Sequence, residues 1–191
     1  MRLSRLWHCR SSVPSLAAAC LFAGLLAGCS PTLNWREVRL APTRLQALMP
    51  CKPEEAAREV PLDGRTVTLH LAGCDADGAT FVLGWTAVDP PGQLGSTLGA
   101  WQDAALQQAG LTAGPDAPAG RPFVPPGGTA VAQSVRIAAT GRRPDGAALP
   151  LQAAWFAATG GSTPHALHAA VYGTPKTAEA AETFFAGLRL P

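Results

Sequence analysis

Arg58-Glu59-Val60-Pro61-Leu62-Asp63-Gly64-Arg65-Thr66-Val67-Thr68-Leu69-His70-Leu71 is the stretch that settles the class of fold. Two arms rich in β-formers flank Asp63-Gly64, the two-residue turn whose backbone twist suits a tight hairpin. Centring the turn there sets Val60 opposite Val67 and Arg58 opposite Leu69. Val60, Leu62, Val67, Leu69 and Leu71 then share one face, with Thr66, Thr68 and His70 on the other. Turn chemistry and apolar pattern demand the same register. Pro61 has no N–H to donate, so its arm belongs at a sheet edge.

Extending that ladder outward places Cys74 opposite position 53, two residues from Cys51. This is disulfide reach once pairing ends at Pro53. Closing a loop of about 24 residues is worth about 3 kcal/mol in the chain-entropy description. A redox or metal pair is the alternative, but the spacing is far from Cys-x-x-Cys and no histidine shares the pattern.

Further out, Trp35 to Leu40 alternates as a short strand, and Leu45 to Met49 suggests another. Thr80 to Val88 is apolar on both faces, as a covered central strand would be. Leu94, Leu98, Trp101, Ala105 and Ala109 recur at helical spacing and predict a helix closed by Gly110. Residues 114–128 hold five prolines and four glycines and form an irregular loop. Phe123 and Val124 are its bulky apolar residues. They either pin the loop to the core or offer a partner-binding surface. Val131 to Ala139, Leu149 to Ala158 and His165 to Tyr172 read as an antiparallel meander. Thr174-Pro175 predicts the start of a last helix, with Ala178, Ala181, Phe184, Phe185 and Leu188 inward. The expected class is α+β, an antiparallel sheet with helices packed on it.

In order, Pro50-Cys51-Lys52-Pro53 precedes the hairpin, Thr86-Ala87-Val88-Asp89 ends a strand, and an amphipathic helix and meander follow. The close runs from Leu167 through Gly173 to Ala180-Ala181-Glu182-Thr183-Phe184-Phe185. This layout resembles the PsbP-like fold, a sandwich of antiparallel sheet and helices. The resemblance implies an adaptor or assembly role and carries over no functional residue.

The amino terminus carries an address. Arg2, Arg5 and Arg10 precede an uncharged apolar run, Leu16 to Leu26, too short to span a bilayer and suited to a secretory signal. It ends in Leu26-Ala27-Gly28-Cys29, which resembles the lipobox of bacterial lipoprotein precursors. The resemblance implies cleavage after Gly28, acyl chains (palmitate among them) on Cys29, and, from Ser30, sorting to the outer membrane facing the periplasm. Residues 1–28 are then a signal peptide, 29–34 a lipidated tether, and 35–191 a single domain. An ordinary secreted protein with an unmodified cysteine is the competing reading. Three acyl chains hold a small domain on a membrane essentially permanently.

The whole chain has 15 basic and 13 acidic side chains; removing the leader leaves 12 against 13. Nothing there drives the domain onto nucleic acid. Cys9 and Cys20 leave with the leader, and Cys51 and Cys74 remain for an oxidising compartment.

Motifs for chemistry are sparse. His165 and His168 stand three apart on a strand and face opposite ways, which argues against a shared metal. Neither Gly95-Ser96-Thr97 nor Gly161-Ser162-Thr163 makes a nucleophile elbow. Asp75 and Asp77 lack the remaining ligands of a calcium loop, and Asp77-Gly78 reads as a turn. Glu54-Glu55 and the pair Glu179 and Glu182 read as exposed or helix-terminal charge. Arg142-Arg143 is a solvated hairpin tip or a contact with lipid head groups. No cofactor fingerprint occurs. The expected function is non-enzymatic: a membrane-anchored periplasmic lipoprotein that binds, scaffolds or assembles an envelope protein. Alternatives are a carrier of a small apolar ligand between sheet and helix, and an envelope hydrolase drawing on Ser96, His70 and His168.

Overall fold

The computed structural model describes residues 32–112 and 118–191. The expected signal peptide, the lipobox-like stretch Leu26 to Cys29 and Cys29 itself lie outside the described residues, as do residues 114–117 of the Pro/Gly loop. Chain order is β1 (Arg36–Leu40), β2 (Leu45–Met49), β3 (Glu54–Leu62), β4 (Arg65–Ala76), β5 (Ala79–Ala87) and α1 (Leu94–Gln108). Then come β6 (Arg121–Pro122), β7 (Val135–Arg142), β8 (Ala148–Ala158), β9 (His165–Gly173) and α2 (Ala180–Ala186).

Asp63 and Gly64 both take positive φ, as the two-residue turn requires. The pairing that follows sets Val60 against Val67 and Arg58 against Leu69. β3 is an edge of a seven-stranded antiparallel sheet ordered β3-β4-β5-β9-β8-β7-β6. Its exposed proline and charged residues blunt that edge against pairing with other chains. Both hairpin arms run further than the apolar pattern suggested, β3 from Glu54 and β4 to Ala76, where Asp77-Gly78 makes a second tight turn. β5 is interior, between β4 and β9. The structure is thus α+β, built on antiparallel sheet.

Strand alternation sorts the core into two layers. On one face β1 and β2 pair into a separate ribbon and, with α2, cover Phe81, Leu83, Phe156, Leu167 and Val171. On the other, Leu94, Leu98, Trp101 and Leu106 of α1 sit over Ile137, Ala153, Trp155, Ala166 and Ala170. Cys51, just after the ribbon, is bridged to Cys74 on β4, with Cα atoms 6.0 Å apart.

Two expectations need correction. The first meander strand begins at Val135, not Val131, because Val131–Ser134 closes a turn through Ser134 N–H to the Val131 carbonyl. It then continues to Arg142, whose N–H meets the Ala109 carbonyl at 2.8 Å. Gly141 is required there, since a Cβ would overlap that carbonyl. The last helix begins at Ala180, not at Thr174-Pro175. The Lys176 and Thr177 N–H groups are spent on the Asp77 carbonyl and carboxylate, which ties this segment to the β4–β5 turn as bends ahead of the helix. Ala178 is consequently exposed, while Ala181, Phe184, Phe185 and Leu188 are buried as expected.

Candidate functional site

The helix face is incompletely covered. α1 crosses the middle of the sheet, and the β3–β4 hairpin extends past it with its apolar side half-exposed. Between them lies a cleft of about 480 Å³, within the usual range for small-molecule sites. Val60, Leu62, Leu69, Leu71 and Val82 form its sheet wall; Trp101, Ala104, Ala105 and Ala109 form its helix wall. Of the apolar hairpin residues that fixed the register, Val60, Leu62, Leu69 and Leu71 are therefore lining residues.

Pairing aligns Leu71, Gly84, His168 and Trp155 in one row across β4, β5, β9 and β8. Gly84 is the hollow in that row. A Cβ there would stand 3.0 Å from the Trp101 ring, so glycine lets the indole lie against the sheet. Trp101 in turn stands 5.3 Å from the His168 ring, and Trp155 stands 4.9 Å from it on the other side.

His168 is the most unusual polar group of the cleft. It is 4% exposed, and its Nε2 has no hydrogen-bond partner among the described residues. Burial lowers its pKa to about 4, so the ring is neutral near pH 7. Burial also pushes the Tyr172 phenol, another lining residue, above its ordinary value. Among the described residues, Arg58, on the exposed edge strand, is the one formally charged side chain in the lining.

His165 lies on the opposite face from His168, as alternation demands. Burial lowers its pKa; a backbone hydrogen bond at Thr163 opposes that, and nearby His70 adds to it. His70 stacks on Trp85 with ring centroids 5.1 Å apart. The Ser96 hydroxyl, with its single proton, lies 2.7 Å from the Asp63 carboxylate, to which it donates, and 3.0 Å from the Gln93 carbonyl. It thereby docks the hairpin turn on the start of α1, helped by Arg65 bonding the Asp89 carbonyl and Thr97. Ser162 is exposed in the β8–β9 turn. Asp75 accepts from Thr80 and Asp77 from the Thr177 N–H, so the two carboxylates serve separate turns. Among the described residues no group of three His, Cys, Asp or Glu could hold a metal ion.

The loop residues divide. Phe123 packs edge-on against Phe156 and Phe185 and pins the loop to the ribbon-side core. Val124, beside it, is 43% exposed.

Arg136 escaped sequence reasoning altogether. It is buried on β7, lies 3.8 Å over the Phe185 ring, and bonds Gln152 and both carboxylate oxygens of Glu182. That hydrogen bonding holds the Glu182 carboxyl below its usual range. The arrangement clamps α2 to the sheet. Its one sequence signal was a lone arginine within an apolar strand.

No protein-family model matches this chain, and neither a curated protein nor a solved structure matches it.

Proposed function

We propose that this protein is a non-enzymatic envelope lipoprotein whose domain binds a small apolar ligand in the cleft between α1 and the β3–β4 hairpin. The observation that carries the reading is the cleft itself: about 480 Å³, walled mainly by aliphatic and indole side chains and bordered by an edge hairpin. An apolar guest gains by leaving water for such walls, at about 25 cal/mol per Å² of surface removed. Attachment follows from the sequence. Leu26-Ala27-Gly28-Cys29 supplies the lipidation site, and Ser30 supports an outer-membrane position facing the periplasm. The likeness to the PsbP-like sandwich accords with binding rather than catalysis and belongs to the same proposal. A scaffold or assembly role with an envelope protein, the other binding reading, would draw on Val124 more than on Phe123. One exposed valine is ordinary for a protein surface, so the cleft has the stronger claim.

Titration with the neutral apolar dye N-phenyl-1-naphthylamine tests the binding. Saturable fluorescence enhancement is expected from the full chain, and its loss from an Ala105→Trp variant whose new indole fills the cleft. Absence of saturation, or equal binding by a folded variant, would refute the site. Intact-mass spectrometry tests the anchor: acylated protein beginning at Cys29 supports it, and an unmodified chain with its first methionine does not.

A further inference from the structure

We infer that His168 is the polar anchor of the cleft, and that the ligand is a neutral, mainly apolar molecule bringing one hydroxyl group to that imidazole. The inference rests on the ligand-binding reading above and narrows it to a chemical class.

His168 is the polar side chain set deepest in the cleft wall, 4% exposed, and its Nε2 lacks a protein partner among the described residues. Buried polar atoms are rarely left without a partner, because desolvation without replacement is costly. Trp101 and Trp155, which flank the ring, present it with aromatic surface. A neutral imidazole carries one N–H donor and one bare nitrogen acceptor. A hydroxyl answers either one, since it both donates and accepts.

The surroundings argue against an anion. Arg58, the charged residue of the lining among the described residues, is on β3, and His168 is on β9. The order β3-β4-β5-β9 puts three strand spacings between them, about 14 Å. A carboxylate placed at His168 would therefore be buried without a countercharge, which is strongly unfavourable. Hydrocarbon lacking oxygen would fit the walls but leave the imidazole unpaired. Sites built around a buried polar group discriminate against analogues that do not answer it.

The test compares naphthalene, 2-naphthol and 2-naphthoate as competitors for N-phenyl-1-naphthylamine bound to the full chain at pH 7. 2-Naphthol should displace the dye at about tenfold lower concentration than naphthalene, with 2-naphthoate weakest. His168→Phe should erase or reverse the advantage of the hydroxyl, read as the ratio of the 2-naphthol to the naphthalene concentration that displaces the dye. In the wild-type chain, the Nε2 ¹⁵N chemical shift of His168 should move with 2-naphthol and stay still with naphthalene, which gives an answer even if the variant does not fold. Displacement by naphthalene equal to or better than by 2-naphthol would overturn His168 as anchor and leave the cleft reading standing. Preference for 2-naphthoate would overturn the neutral ligand class. Failure of the dye and all three competitors to bind would reject the binding reading itself.

Discussion

On the ribbon face of the sheet, Leu45, Met49, Phe81, Phe156 and Phe184 are wholly shut from water. On the helix face, Val60, Leu69 and Leu71 keep partial exposure and border a cleft. Both faces belong to the same strands, so the contrast comes from their covers. The ribbon and α2 together close one side. They are held there by the Cys51–Cys74 bridge, by Arg136 gripping Glu182, and by Arg189 bonding Gln46 and Glu37. A single helix of 15 residues serves the other side and leaves the edge hairpin partly uncovered. A closed face supplies stability, and an incompletely closed one supplies room for a guest.

The contrast can be broken first by cavity-making substitution. Phe156→Ala on the closed face should lower unfolding free energy by about 3–5 kcal/mol in urea titration. Leu71→Ala on the cleft face should lower it by only about 1–2 kcal/mol, since that residue already borders open space. Equal losses would abolish the distinction.

Replacing Cys51 and Cys74 together by Ser should cost about 3 kcal/mol in the same titration. The loss should fall on the ribbon side, leaving dye binding at the cleft intact in protein that remains folded. Loss of the cleft before loss of the global fold would show that the two faces are coupled.

Acid sharpens the contrast from the cleft side. In the folded chain His168 titrates at about 4, against 6.5 for the unreacted side chain. The unfolded chain therefore takes up a proton in that interval that the folded chain refuses. Stability from this group is complete above about pH 6.5 and falls as pH drops toward 4, by about 3 kcal/mol. His165 contributes in the same direction from the other face. His168→Phe should consequently flatten, without abolishing, the fall in urea midpoint between pH 7 and pH 4. An unchanged slope would mean that His168 is not buried as described.

The smallest effect is expected at the rim. Arg58→Ala should change stability and dye affinity little, because exposed charges contribute weakly. A tenfold or larger loss of dye affinity would shift recognition from the depth of the cleft to its edge.

Local signals carried far in this chain. Asp63-Gly64 and the alternating arms specify a hairpin and its register, Pro61 its edge position, and the spacing from Leu94 to Ala109 the helix. The disulfide follows from counting along the same ladder. Pairings between distant segments were not legible, because they leave no local period. Nothing near Thr80 announces that β5 lies beside β9, with Ala87 opposite His165. Nor do β1 and β2 signal that they form a ribbon outside the main sheet. Parity along β9 separates His165 from His168 but does not say which meets a cleft. The available hint was composition. Ala166 and Ala170 flank His168 on its own face, and Ala153 and Ala157 on β8 share that side. Small residues there make space for large partners, and Trp101 and Trp155 fill much of it. Thr174-Pro175 misled because cap chemistry is local, whereas Asp77 competes for the same stretch of backbone from 100 residues away.

Organic extraction of the purified full chain, followed by mass spectrometry, shows whether the cleft carries a guest. About one equivalent of a neutral, mainly apolar compound bearing a hydroxyl is predicted from the wild-type chain. Little or none should come from a folded Ala105→Trp variant. Extracts that are equally empty, or equally loaded, would contradict a ligand held between α1 and the hairpin.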